Sequence, residues 1–254
     1  MRRFFCTAFM LFVVLSCALL ASHAQATPQP PAPQPEQTWR FDNLSSIGGH
    51  PVQVVGHPEL IGTPYGKAVQ FHGPGNGQGD GIFVPAHPLA GASTYTWEVI
   101  FRPDADGPQA QRFFHLQEQN PDTGEDTPNR MLFEIRIVDG QWCLDSYAKS
   151  NASYRTLLNC KALHPLGQWY RMAVVYDGHM LRNYVDGELQ GEGELTLTPQ
   201  LAGRSSVGMR INNRDPFKGA ILLSRTVPRA LTPAEFLPMS TTCGGTDRFA
   251  CHLR

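Results

Sequence analysis

Alternation along several short segments sets chemically able side chains on one side of the chain. In Arg112 to Gln117, His115 and Gln117 share a face with Phe113, while Phe114 and Leu116 point the other way. In Met131 to Ile137, Phe133, Ile135 and Ile137 line one face, and Leu132, Glu134 and Arg136 line the other. Asp145 and Tyr147 share a side of the next segment, and Arg182 and Tyr184 do so further on. Such a mixture of carboxylate, guanidinium, imidazole and phenol suits a sugar, whose C–H faces stack on rings and whose hydroxyls bond charged groups. Ion pairs solvating an exposed sheet face would leave the same pattern.

Other chemistries lack their residues. The run from Gly73 to Gly81 is glycine-rich but lacks the strand-to-helix context and the Lys-Ser/Thr of a phosphate loop. Asp104-Ala105-Asp106-Gly107 opens like a calcium loop, yet no glutamate closes it at the required offset. No serine stands in a G-x-S-x-G elbow. Asn43-Leu44-Ser45 and Asn151-Ala152-Ser153 fit the N-glycosylation pattern, which matters only in a host with that machinery.

Residues 1–26 read as a secretory signal peptide: Arg2 and Arg3, an apolar run from Phe4 to Leu20, then Ala24-Gln25-Ala26. A membrane anchor is the rival, but the run fades into Ser22 and His23 and ends at a cleavage site. The expected product is secreted or periplasmic, with no membrane span after cleavage. Cleavage removes two of the 21 basic residues and none of the 22 acidic ones, leaving a mildly acidic chain without a basic block. Nucleic acid is therefore not an expected partner.

Four of the six cysteines lie beyond the signal: Cys143, Cys160, Cys243 and Cys251. In an exported chain they read as two disulfides, and the sequence-local pairing is Cys143–Cys160 with Cys243–Cys251. Zinc is the alternative, but no pair has C-x-x-C spacing and His252 alone stands close beside a cysteine.

The elements that must position these groups are short and β-like. Residues 27–37, TPQPPAPQPEQ, form a proline-rich linker expected to act as a semi-rigid spacer. A domain follows over 38–242, then a tail at 243–254 with a disulfide loop. Strands are expected at 68–71, 94–101, 112–117, 131–138, 141–147, 168–176, 180–185, 205–209 and 219–223. Asp139-Gly140 and Asp177-Gly178 mark hairpins. A short helix is expected near Leu231–Phe236, with Thr232 as N-cap, Pro233 in the first turn and Glu235 completing a capping box. Strands in succession without intervening helices argue for an all-β sandwich or barrel.

Several of these pieces resemble one family. Trp169 opens a strand that runs to Tyr176-Asp177-Gly178, and the next ends Tyr184-Val185-Asp186-Gly187. With Gly66-Lys67-Ala68-Val69-Gln70-Phe71, Ser206-Val207-Gly208, Phe217-Lys218-Gly219 and Leu231 to Phe236, this order resembles LamG-like domains of the concanavalin A-like lectin/glucanase superfamily. The resemblance spans about Trp39 to Leu237. It implies a two-sheet antiparallel jelly-roll sandwich with a short C-terminal helix, and a concave sheet as the place for carbohydrate. His115, Gln117, Glu134, Arg136, Asp145, Tyr147, Arg182 and Tyr184 are the residues expected to form that surface. The resemblance also implies a possible calcium ion at a loop rim, with Asp42 and Asp80 as first ligands and the loop around Asn120, Asp122, Glu125 and Asp126 as second choice.

The expected function is non-catalytic recognition of a glycan or glycosylated surface. Glucanase relatives carry acids along one strand as E-x-D-x-x-E, whereas Arg136 stands here where the second carboxylate belongs. A glycoside hydrolase using Glu134 is nonetheless an alternative. So is a polysaccharide lyase using His115, Tyr147 and Arg136, and so is a protein-binding adhesion module.

Overall fold

Tight turns fix which strands neighbour each other. Asp139 and Gly140 both adopt positive φ (50° and 72°), the left-handed pair that a two-residue hairpin needs. They join β10 (Asp126–Val138) to β11 (Gln141–Ser150). Asp186 and Gly187 (50° and 89°) do the same for β15 (Met180–Val185) and β16 (Glu188–Glu194). The turn after β14 (Tyr170–Tyr176) works differently from its expected two-residue form. There the Asp177 carboxylate accepts the backbone N–H groups of His179 (2.9 Å) and Met180 (2.7 Å), and Gly178 alone has positive φ.

The computed structural model describes residues 28–75, 77, 79–151 and 153–239. The N-terminal strands are β1 (Gln37–Arg40), β2 (Ser46–Ile47), β3 (His50–Pro51), β4 (Gln53–Val55) and β5 (Glu59–Thr63). Then come β6 (Gly66–His72), β7 (Gly81–Val84), β8 (Tyr95–Pro103) and β9 (Ala110–Gln119). The remainder are β12 (Ser153–Leu158), β13 (His164–Pro165), β17 (Gly203–Val207) and β18 (Lys218–Val227). All nine expected strands are present, most of them longer than expected.

They form two antiparallel sheets. The first runs β16-β15-β14-β8-β18-β6-β5, with β1 also paired to β18. The second runs β12-β11-β10-β9-β17-β7-β4, with β13 paired to β11. Between them lies an aromatic core: Trp97 against Phe133 (3.9 Å between centroids), and Phe101 stacked on Phe113 (4.5 Å). The Trp97 indole donates to Ser224 Oγ at 2.9 Å, so its one polar atom is not stranded.

One irregularity in this core overturns the simple alternation of β9. Phe113 and Phe114 are consecutive, yet both are fully buried in the core. The β9–β10 register accommodates them with a bulge: Phe114 pairs with Phe133, but Glu134 pairs with Arg112. Phe113 is the extra residue. It turns inward, away from the face that His115 and Gln117 occupy, and Arg112 takes the outward place.

The outer face of the first sheet is covered. Ala173, Val175 and Val227 pack under Leu231 and Phe236, with Tyr184 at the margin. The expected helix is a single 3₁₀ turn, Pro233–Glu235. Its capping box is present, with Thr232 N–H and Oγ–H both donating to Glu235 Oε2 (2.8 and 2.9 Å). Phe236 leaves the turn extended to reach the Tyr184 ring at 5.4 Å, which stops the helix. Leu237 N–H then donates to the buried Glu98 (2.8 Å), which also takes Arg225. Residues of the proline-rich segment also lie against the domain, since a Cβ on Gly91 would meet the Pro31 carbonyl oxygen at 2.1 Å. No helix among the described residues is long and apolar enough to cross a membrane.

Cys143 and Cys160 form a disulfide (Cα–Cα 5.1 Å) that ties β11 to the loop before β13. Cys243 and Cys251 lie outside the described residues. With the partners 17 positions apart in the sequence, loop-closure entropy gives the bond roughly 3 kcal/mol. The Cys143→Ala/Cys160→Ala variant should lose about that much in urea unfolding, and a loss below about 1 kcal/mol would show the loop to be restrained without the bond.

Candidate functional site

Register places the outward residues of the second sheet side by side. Arg112, Glu134 and Asp145 lie across three neighbouring strands, and Leu132, Tyr147 and Thr156 lie across the next row. Together with Arg130, Arg136 and Arg210 they surround a depression of about 220 Å³. That is below the roughly 300–1,000 Å³ of pockets for drug-sized ligands, a size for one sugar residue of a chain.

An ion network holds its floor. Glu134 Oε1 accepts from Arg112 Nε (2.7 Å), and Glu134 Oε2 accepts from Arg136 Nη2 (3.1 Å). The same Arg136 nitrogen lies 2.7 Å from Asp145 Oδ2, so one guanidinium bridges two buried carboxylates. Arg112 also reaches Asp215 Oδ2 at 3.0 Å, in the loop after β17. Burial, and then the Asp145 charge, push the Glu134 carboxyl above its ordinary range, against the pull of Arg112 and Arg136. Asp145 Oδ1 is buried and has no hydrogen-bond partner among the described residues. It is an unpaired acceptor on a residue that lines the depression.

The rim is aromatic. Tyr154 is 64 % exposed and stacks on Tyr147 (6.2 Å, 29°), and the Arg130 guanidinium lies 5.0 Å over Tyr147. Leu158, 49 % exposed, continues the same face of β12. This is a ring-and-fork arrangement: flat phenols beside fixed guanidiniums and carboxylates.

The eight expected residues divide into three groups. Glu134, Arg136, Asp145 and Tyr147 line the depression. His115 and Gln117 share its face but are buried beneath flanking loops, not open to it. His115 Nδ1 accepts the Ile211 N–H (3.2 Å), which leaves Nε2 to donate to Gln117 Oε1 (3.2 Å). Gln117 in turn donates to the carbonyls of Glu118, Thr127 and Asn129. Arg182 and Tyr184 are not part of the site at all: they stand on the outer face of the first sheet, register partners of Val175 and Ala173. There Arg182 pairs with Asp177 (2.6 Å) and Glu192 (3.0 Å).

Sequence reading missed Arg112, Arg130, Thr156, Arg210 and Tyr154. Arg112 is brought in by the bulge, and Arg210 by a loop with Asn213 and Asp215 at positive φ. Tyr154 and Thr156 were legible as alternate residues of a strand in 153–158.

Asp42 is exposed and accepts the amide of Asn43 (3.0 Å). Asp80 is buried, and its carboxylate takes the N–H of His57 (2.8 Å), the N–H of His72 (2.8 Å) and His72 Nδ1 (2.7 Å). Three nitrogen donors face it where a hard cation would need oxygens. Among the described residues, no three His, Cys, Asp or Glu side chains converge as a metal set. Asn120, of the second-choice loop, spends its side-chain oxygen on the N–H groups of Asp122 (2.8 Å) and Thr123 (3.3 Å).

A family model described as the concanavalin A-like lectin/glucanases superfamily, the laminin G type, matches residues 76–236. The chain belongs to that superfamily. Among solved structures, it is similar to domain 4 of AbnA, a GH43 extracellular arabinanase from Geobacillus stearothermophilus, in complex with arabinotriose. That match has a TM-score of 0.57 at 21% identity and covers 81% of this chain and 97% of that one. The binding domain of botulinum neurotoxin DC in complex with SialylT gives 0.54 at 10% identity, covering 78% of this chain and 49% of that one. The chain thus spans about half of that toxin domain. At these identities the likeness is one of fold. No curated protein matches the sequence.

Two stability predictions follow from the buried charges. Burial, with Arg210 and Arg130 nearby, holds His115 down at about 3 against 6.5 in the unfolded chain. Its neutral burial therefore stabilises fully above pH 6.5, and that contribution is lost as pH falls toward 3, about 1.4 kcal/mol per unit. His87, also lowered by burial, acts in the same direction. The urea midpoint should drop between pH 7.5 and 5.0, and His115→Gln should remove about 2 kcal/mol of that drop. An equal drop in the variant would show that His115 is not the group titrating. Separately, Arg136→Met leaves Glu134 and Asp145 facing each other. It should cost about 3–5 kcal/mol at neutral pH and less as pH falls, since burial and the Asp145 charge already favour a proton on Glu134.

Proposed function

We propose that the protein is an exported carbohydrate-binding module whose site is the depression on the outer face of β10, β11 and β12. The observation that carries this reading is the exposed Tyr154–Tyr147 stack beside a buried carboxylate oxygen, Asp145 Oδ1, that has no partner among the described residues. A sugar ring supplies both the C–H face and the hydroxyl. The arabinotriose in the arabinanase domain supports a saccharide on a jelly roll of this kind. The Cys143–Cys160 disulfide supports an oxidising compartment, in keeping with a signal peptide at 1–26.

A hydrolytic reading has one observation in its favour. Glu134 and Asp145 are cross-strand neighbours, and the burial of Glu134 and the charge of Asp145 raise the Glu134 carboxyl, as in acid–nucleophile pairs. Against it, both Glu134 oxygens accept arginine N–H groups, which bind the carboxylate and leave no free oxygen to donate a proton.

A glycan and polysaccharide panel on the mature protein, with calcium and with chelator, tests these readings. Saturable binding should fall at least about fivefold with Tyr154→Ala, since aromatic stacking and its buried area are worth about 1 kcal/mol or more. Arg182→Ala, on the opposite sheet, should leave it unchanged. Loss with chelator would add an ion to the site. Reducing-end release abolished by Glu134→Gln would turn the module into an enzyme. No binding by the folded protein to any glycan would sink the reading and bring protein recognition forward.

A further inference from the structure

The depression holds more positive charge than its own carboxylates use. Arg112 and Arg136 are committed to Glu134, Asp145 and Asp215. Arg130 and Arg210 are not. Arg130 gives Nη1 to the Pro128 carbonyl (2.9 Å), and its buried Nε has no partner among the described residues. The Arg210 Nε is likewise buried without a partner, and its Nη1 comes only within 3.9 Å of Asp215 Oδ2, an oxygen already taken by Arg112. Lys149 is the register partner of Arg130 and adds a further cation at that end. The chain as a whole has a formal charge of −1, so the surplus is local.

A guanidinium N–H buried without an acceptor is costly, and no change of protonation relieves it. An arriving anion would supply the acceptors, and a carboxylate or sulfate matches the guanidinium fork. Burial and the charge of Arg112 bear on Arg210 in the same sense, disfavouring its cation until a counter-charge arrives. We infer that the ligand is an anionic saccharide, one carboxylate or sulfate of which sits between Arg130 and Arg210 while its ring lies toward Tyr147 and Tyr154. The inference rests on the depression being the glycan site and names the class of glycan it takes.

The test compares polygalacturonate with its fully methyl-esterified form, which keeps the backbone and erases the charge, and heparin with desulfated heparin. Isothermal titration of the mature protein should show one acidic form binding at least about tenfold tighter than its neutral counterpart, the scale of one charge-assisted hydrogen bond. The ratio should shrink as salt rises. Arg130→Gln and Arg210→Gln should each reduce the ratio several-fold. Neither arginine holds Glu134 or Asp145, so the floor of the site keeps its partners. Arg182→Gln, on the other sheet, should keep the ratio. A preference in the polygalacturonate pair alone assigns a carboxylate, and one in the heparin pair alone assigns a sulfate. Equal binding of charged and neutral forms, or ratios unmoved by both arginine variants, overturns the inference while leaving a glycan site intact. Failure of every saccharide, charged and neutral, removes the glycan reading and this one with it.

Discussion

Two consecutive phenylalanines have to be buried on the same side of a strand that ordinarily alternates. The rest of the site follows from how β9 solves that. Phe113 stacks on Phe101, and Phe114 meets Trp97 edge-on at 5.1 Å, so neither can be turned to solvent without stripping the centre of the core. The bulge that buries both shifts the register by one residue between Phe133 and Glu134. Arg112, and not a phenyl ring, then stands opposite Glu134. Without that shift Glu134 would lose its 2.7 Å partner, and the Arg112–Asp215 contact that fastens the loop after β17 would go with it.

The sandwich treats its two outer faces unequally. On the first sheet, Leu231 and Phe236 cover an apolar patch, and buried Glu98 fixes the chain after them through Leu237 N–H and Arg225. On the second sheet, loops close over His115 and Gln117 of β9 but leave Tyr147, Tyr154 and Thr156 of β11 and β12 accessible. The uncovered polar groups are therefore gathered in one region, where rigid strands carry them and the hairpin at Asp139-Gly140 fixes the offset between two of those strands.

How far the sequence could be read depends on how local each feature is. The strands, the Asp139-Gly140 turn, the Cys143–Cys160 pairing and the outward set Glu134, Arg136, Asp145 and Tyr147 follow from alternation, turn chemistry and short spacing. Arg182 and Tyr184 alternate just as well, but their sheet is decided by β14 pairing with β8, some seventy positions earlier in the chain. Alternation gives the face of a strand, not the sheet it joins. His115 looked available for the same reason: burial by a loop that returns from residue 211 is invisible in a hexapeptide. Arg112 was hidden because a bulge is a tertiary bargain between packing and pairing. The single 3₁₀ turn at Pro233 shows the converse, a clear local helix signal cut short by the burial of Phe236.

The placement of β18 has a consequence for how the chain is made. This strand, at residues 218–227, pairs with β1, β6 and β8, which hold the first sheet together from the amino-terminal third of the domain. No nascent chain can close that sheet until residues 218–227 have left the ribosome. A topology of such high contact order folds late and slowly. Until β18 arrives, the edges of β1, β6 and β8 that it joins stand open.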